Sequence, residues 1–136
     1  MKRDVRNYKE VSDAVDFVLS KFKKIDIVVN GAAGNFLAPI DKLSSNGFRT
    51  VLEIDTLGTF NVSKAVYEKT MKNNGGNIVN ISATLHYNSS SMMTHAVAAK
   101  AGVDALTRNL AVEMVRFFIN LYNLRGSFFR VLKILE

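Results

Sequence analysis

The 136-residue chain is 48% hydrophobic and 22% charged, with one proline and eight glycines. That excludes a disordered, collagen-like or low-complexity polypeptide and bounds the chain to one domain or part of one. The absence of cysteine excludes disulfides and cysteine nucleophiles, and two histidines, His86 and His95, cannot build a histidine-rich zinc site.

The net charge of +6 suggests an anionic partner, either nucleic acid or a small molecule. Its distribution argues against nucleic acid. Residues 1–113 carry 14 basic and 11 acidic groups and residues 114–136 carry 4 and 1, so a short tail supplies half of the excess. No stacking motif or basic stripe accompanies the charge. No apolar run approaches the roughly 18 residues of a membrane span, and the start, MKRDVRN, lacks the apolar stretch of a secretory signal.

From Tyr8 to Lys24 the apolar residues Val11, Ala14, Val15, Val18, Leu19 and Phe22 are spaced by three and four, which predicts an amphipathic helix. Ile25 to Asn30 is a β-branched run suited to a buried parallel strand, and it stops at the small-residue loop Gly31 to Asn35. A long helical stretch opens at Ser45 and runs to about Met71. Asn73-Asn74-Gly75-Gly76 ends it with residues that tolerate left-handed geometry. Asn77 to Ser82 reads as a second buried strand, His86 to Ser91 as a polar loop, and Thr94 to Glu113 as a third helix rich in alanine. Strands alternating with helices predict a parallel sheet with helices on both faces. Such a sheet binds ligands in the crevice beyond the carboxyl ends of its strands. Both strand ends carry small and polar residues here, as ordinary βα turns also do.

Four motifs follow one another along the chain. They are Asp4-Val5, Asn30-Gly31-Ala32-Ala33-Gly34, Asn80-Ile81-Ser82-Ala83, and Lys100 followed by Ala101 to Thr107. In this order and spacing they resemble the short-chain dehydrogenase/reductase family, a Rossmann-fold group using NAD or NADP. The segments NGAAGNFLAPIDKLSS, VLEIDTLGTFNVSKAVYEK and NISATLHY are similar to its peroxisomal 2,4-dienoyl-CoA reductase branch. The resemblance covers residues 4–113 and implies NADPH-dependent reduction of a 2,4-dienoyl-CoA, a fatty acyl-CoA substrate, a homo-oligomer and no metal.

The resemblance also assigns residues. Asp4 and Val5 fall where the family contacts the adenine ring. Asn30, Gly31, Ala32 and Ser82 line its cofactor crevice, and Lys100 binds the nicotinamide ribose. The family's proton-donating tyrosine, four residues before the lysine, is Ala96 here, and its serine is Ala83. Neither alanine can donate a proton, so the usual carbonyl reduction is excluded, whereas the dienoyl-CoA reductases also lack the pair. Asp55 stands where the wider family has a catalytic asparagine and is expected to orient a proton-donating water. Asp104 lies one helical turn after Lys100, and its expected role is a plain salt bridge or membership of the same network. Tyr87 is expected to wall the substrate pocket, and Phe36 either to line the acyl pocket or to pack as a core or loop residue.

The family's opening strand and its T-G-x-x-x-G-I-G turn have no counterpart in this sequence. The expectation is therefore a partial, doubly wound Rossmann-like α/β sheet that lacks the first βαβ unit and the C-terminal strands. Weak or no NADPH binding and a marginally stable or aggregation-prone chain are expected to follow. Residues 1–113 form the dinucleotide-binding part in this reading, and residues 114–136 form a divergent basic and aromatic tail. The branch implies a peroxisomal location. The chain ends Ile134-Leu135-Glu136, without the usual peroxisomal tripeptide, which leaves a cytoplasmic location open.

Overall fold

A computed structural model of the chain describes residues 3–125. Helix α1 spans Tyr8–Phe22 and is capped at its start by Asn7, whose side chain accepts from the backbone N–H groups of Lys9 and Glu10. It ends at Lys23, which adopts a left-handed conformation. Strand β1 spans Ile27–Asn30. Residues 45–74 form one continuous helical rod built from α2 (Ser45–Leu52), α3 (Gly58–Val66) and α4 (Lys72–Asn74). The three are joined by π-helical turns at Glu53–Leu57 and Tyr67–Met71. Gly75, at a φ of 70°, then turns the chain into strand β2, Gly76–Ser82. Only glycine takes that geometry without strain. The segment read as a polar loop opens with a single helical turn, α5 (Leu85–Asn88), before α6 (Thr94–Met114).

The sequence reading expected no strand beyond residue 113. The chain nevertheless passes through a 3-10 turn at Val115–Phe117 into strand β3, Ile119–Arg125. Ile119 and Leu121 alternate with the more exposed Asn120 and Tyr122. This period-two signal lay under the composition shift that had suggested an unrelated tail. Residues 126–136 lie outside the described residues.

The sheet is parallel throughout, in the order β1-β2-β3. Its register sets Val28, Ile78 and Leu121 in one row and Asn30, Asn80 and Asn123 in another row of the same face. Helices α3 and α6 pack on the sheet, and α1 packs on α3. The core joins Val11 and Val15 of α1, Ala65, Val66 and Met71 of the rod, Ile78 of β2, Leu110 and Met114 of α6, and Ile119.

Helices were expected on both faces. The described residues hold one of these two layers, and the alternate rows leave Val29, Tyr122 and Leu124 at 62%, 50% and 49% exposure. The reason is topological. Both crossovers, β1 to β2 and β2 to β3, advance in one direction along the sheet. Right-handed connections that advance the same way deposit their helices on the same face. A second layer requires a reversal of strand order, which the described residues do not contain.

Candidate active site

The carboxyl ends of β1 and β2 open toward the first π-helical turn of the rod and the first half of α6. A buried polar chain sets this corner. Asn30 Nδ2 donates to Ser63 Oγ at 3.1 Å and to Asn80 Oδ1 at 2.8 Å. Asn80 Nδ2 donates to Thr107 Oγ1 at 2.9 Å, and that hydroxyl donates to the Val103 carbonyl. Asn30 and Asn80 are 8% and 0% exposed, so their amides tie β1, β2, α3 and α6 together below the crevice.

Asp55, 1% exposed, sits in the middle of the π-helical turn Glu53–Leu57. An extra residue per turn leaves backbone groups without their regular partners. The two threonines around Asp55 add side-chain bonds to the turn. Thr59 Oγ1 donates to the Asp55 carbonyl at 2.7 Å, and Thr56 Oγ1 donates to the Ala99 carbonyl at 2.9 Å. The second bond locks the turn to the residue directly before Lys100. Asp55 Oδ2 lies 3.1 Å from Lys100 Nζ, and its Oδ1 accepts from the Gly34 N–H at 2.7 Å. The lysine ammonium also donates to the Ile81 carbonyl at 3.0 Å. A side chain on Gly34 would meet the tip of Ile54, Cδ1, at 2.9 Å, so the loop packs closely on Ile54 where it reaches Asp55.

The sequence reading offered Asp104 as a salt-bridge partner of Lys100. The ion pair found at the ammonium is with Asp55, across two elements. Asp104 is 1% exposed and takes His86 Nε2 at 2.9 Å and Tyr87 OH at 3.4 Å on Oδ2. On Oδ1 it accepts from Asn123 Nδ2. His86 carried no message in the sequence, and Asn123 lay in the presumed tail. Nothing local marks either residue. Both reach Asp104 only through the turn at α5 and the pairing of β3.

The other expected residues fall in three places. Asp4, Val5 and Ala32 line one shallow depression together with Ile54, and Asp4 is bound to Arg6 at 2.6 Å. Gly31 lies beside Ile81, and Ser82, 4% exposed, donates to the Lys100 carbonyl at 3.4 Å. Phe36 stacks on the buried His95, with ring centroids 4.3 Å apart, and its carbonyl is 2.9 Å from His95 Nε2. Phe36 itself stays 44% exposed and Tyr87 57% exposed. Ala96 is buried and Ala83 partly buried, and neither side chain carries a hydroxyl. Among the described residues no helix is long and apolar enough to cross a membrane, and no group of His, Asp or Glu side chains could hold a metal ion.

Comparison with known proteins gives this arrangement a lineage. Residues 1–129 match the family model described as short chain dehydrogenase, a match that runs past residue 113 and through β3. The chain is 56% identical over 110 residues to the peroxisomal 2,4-dienoyl-CoA reductase of Danio rerio, covering 81% of this chain and 37% of that protein. To the Rattus norvegicus enzyme of the same name it is 57% identical over 113 residues, covering 83% and 39%. The chain thus spans about two-fifths of the length of these curated relatives. A crystal structure of a gluconate 5-dehydrogenase from Burkholderia cenocepacia in complex with NADP and tartrate superposes with a TM-score of 0.84 at 28% identity, covering 90% of this chain and 48% of the other. The parallel sheet, the lysine on its helix behind the second strand and the family match lead to one conclusion: the chain belongs to the short-chain dehydrogenase family.

Proposed function

We propose that this chain carries the ribose-binding and proton-handling half of an NADPH-dependent 2,4-dienoyl-CoA reductase. The observation that carries the reading is the buried Asp55–Lys100 pair at the strand ends, in a site whose tyrosine and serine positions hold alanine. The donor set fits one part of the cofactor. Lys100 offers ammonium protons to ribose hydroxyls beside the Ile81 carbonyl, and Val5, Ala32 and Ile54 provide an apolar shelf for a flat ring. The described residues contain no glycine-rich turn for a pyrophosphate.

NADPH, when bound, supplies the hydride that reduces a conjugated diene thioester. The chain's own residues then have three tasks. Lys100 orients the ribose and puts a positive charge beside the site. Asp55, held by Lys100 and by the Gly34 N–H, stays in one orientation from which a water can be aligned for proton delivery. Asp104 fixes the far side of the same helix, with Tyr87 at the mouth as a wall for the acyl chain and Phe36 across the loop. A ketone reductase needs a side-chain acid where Ala96 stands, and that requirement separates the two chemistries. A peroxisomal location and an acyl-CoA substrate go with this reading.

The test uses the full chain. NADPH is titrated while amide chemical shifts are followed, and then 2,4-dienoyl-CoA and a 3-ketoacyl-CoA are offered in turn. Expected are shifts clustered at Ala32, Ser82 and Lys100, oxidation of NADPH with the diene, and none with the ketone. Ketone reduction, or an unchanged spectrum at saturating NADPH, overturns the reading.

A second reading has its own observation. Phe48, Leu52, Leu57, Phe60 and Leu106 line an apolar groove between the rod and α6, and Leu57 and Phe60 remain 41% and 37% exposed. At the far end of the rod Lys64 holds the Glu68 carboxyl below the ordinary carboxylate range, helped by Tyr8. An apolar strip of this kind suits pairing with another subunit of the same fold. Sedimentation is expected to show an associating wild-type chain and a monomeric Phe60→Lys variant. A wild-type chain that stays monomeric at every concentration excludes pairing between copies.

A further inference from the structure

The cluster around Asp104 lies outside the Asp55–Lys100 pair and contains two residues to which the family resemblance gave no role. His86 is nearly buried, its side chain 12% exposed, and Nε2 points at Asp104 Oδ2 from 2.9 Å. A carboxylate accepts only, so the proton of this bond belongs to Nε2. Nε2 therefore carries a proton, whether the ring is the neutral Nε2–H tautomer or the imidazolium. Nδ1 is buried and has no hydrogen-bond partner among the described residues. The ring is therefore held from one side, by Asp104 and by its neighbour Tyr87, whose ring centroid is 4.0 Å away. On the other carboxylate oxygen the donor is Asn123 of β3, whose own Oδ1 is likewise buried without a partner. Two side chains thus leave a polar atom unsatisfied, and each gives its donor to Asp104. Such an arrangement costs stability, because buried polar groups are normally paired. What it secures is the plane of one carboxylate, one helical turn beyond Lys100.

We propose that His86 is a positioning residue that fixes the Asp104 carboxylate through an Nε2–H donor, with Asn123 as the matching donor on the opposite oxygen. This rests on the reading of Asp104 as part of the proton-handling group. His86 acts through Asp104 and touches no reacting atom. The donor is what matters, so glutamine, whose amide nitrogen stands near the place of Nε2, is a conservative replacement, and leucine is not.

The experiment has two independent readouts. In the wild-type chain, long-range nitrogen–proton correlation of the imidazole is expected to show a protonated Nε2. The opposite tautomer overturns the proposal without any variant. In turnover of 2,4-dienoyl-CoA, His86→Leu is expected to lower kcat about tenfold with KM unchanged, and His86→Gln to recover most of the loss. In an Asp104→Asn background His86→Leu is expected to have almost no further effect, because its target is gone. Additive losses, or a His86→Gln variant as impaired as His86→Leu, overturn the proposal. Absence of turnover in the wild-type chain sinks the proposed function alone. The ring tautomer and the coupling of His86→Leu with Asp104→Asn in urea unfolding then still decide whether His86 holds Asp104. If His86→Leu does not fold, the tautomer and the His86→Gln variant decide.

Discussion

Lys100→Met is expected to destabilise the chain by about 3 kcal/mol and to abolish binding of NADPH. The reason lies in what it leaves behind. Asp55 is 1% exposed, and its carboxylate keeps only the Gly34 N–H at 2.7 Å once the ammonium is gone. A buried charge without its counter-ion costs more than the pair was worth, because desolvation of the remaining ion is no longer offset. The same logic gives a control. Asp55→Asn in the Lys100→Met background removes the charge, keeps an acceptor for Gly34, and is expected to recover most of the stability but none of the NADPH binding. Urea unfolding followed by circular dichroism measures the first quantity and amide shifts measure the second. An unfolding midpoint for Lys100→Met equal to that of the wild type would show the pair to be solvated and would remove the physical basis for its role.

The second large effect is expected from Asn80→Leu. Asn80 has no exposure, accepts from Asn30 at 2.8 Å and donates to Thr107 at 2.9 Å. Leucine has a similar size and makes neither bond, so two hydrogen bonds are lost in a place water does not reach. The expected loss is about 2–4 kcal/mol, above that of an ordinary single bond because the network members support one another. Asn120→Leu supplies the comparison, since Asn120 lies on the exposed side of β3 and bonds only the Asn77 side chain at 3.3 Å. Its change is expected to stay within about 0.5 kcal/mol. The two asparagines have identical chemistry and opposite faces, so equal losses would contradict the burial described above.

These two residues also mark how far the sequence could be read. Asn30 and Asn80 were visible as motif positions, and the resemblance attached Asn30 to a cofactor crevice. That their amides point at each other and at Thr107 follows from the strand register, which pairs Asn30 with Asn80 directly. Lys100 was visible through the residues that follow it, and Asp55 through its place in the I-D-T-L-G-T segment. Their pairing was not visible. Forty-five positions separate them, and only the π-helical turn, pinned by Thr56 and Thr59, brings the carboxylate under the ammonium.

Strand β3 was missed for a related reason. Its composition departs from the preceding chain, but its alternation fits the edge of β2, and pairing along a strand depends on alternation more than on composition. Helices on both faces were expected from the alternation of elements alone. Which face a crossover helix takes depends on the direction of travel along the sheet, a property of strand order that no local pattern contains.

By itself the sequence determined the kind and approximate limits of the three long helices and the first two strands, though not the short turn α5 or the π-helical turns of the rod, because helix and strand periodicities are local and every residue carries its part of them. It determined the loss of the two hydroxyl donors at Ala83 and Ala96, because an absent atom needs no fold to be absent. The tertiary structure alone decided which acid meets Lys100, which face of the sheet is covered, and that His86 and Asn123 close on Asp104. Each of these depends on distances between residues far apart in the chain, and such distances are set by packing and strand order, which a linear pattern does not encode.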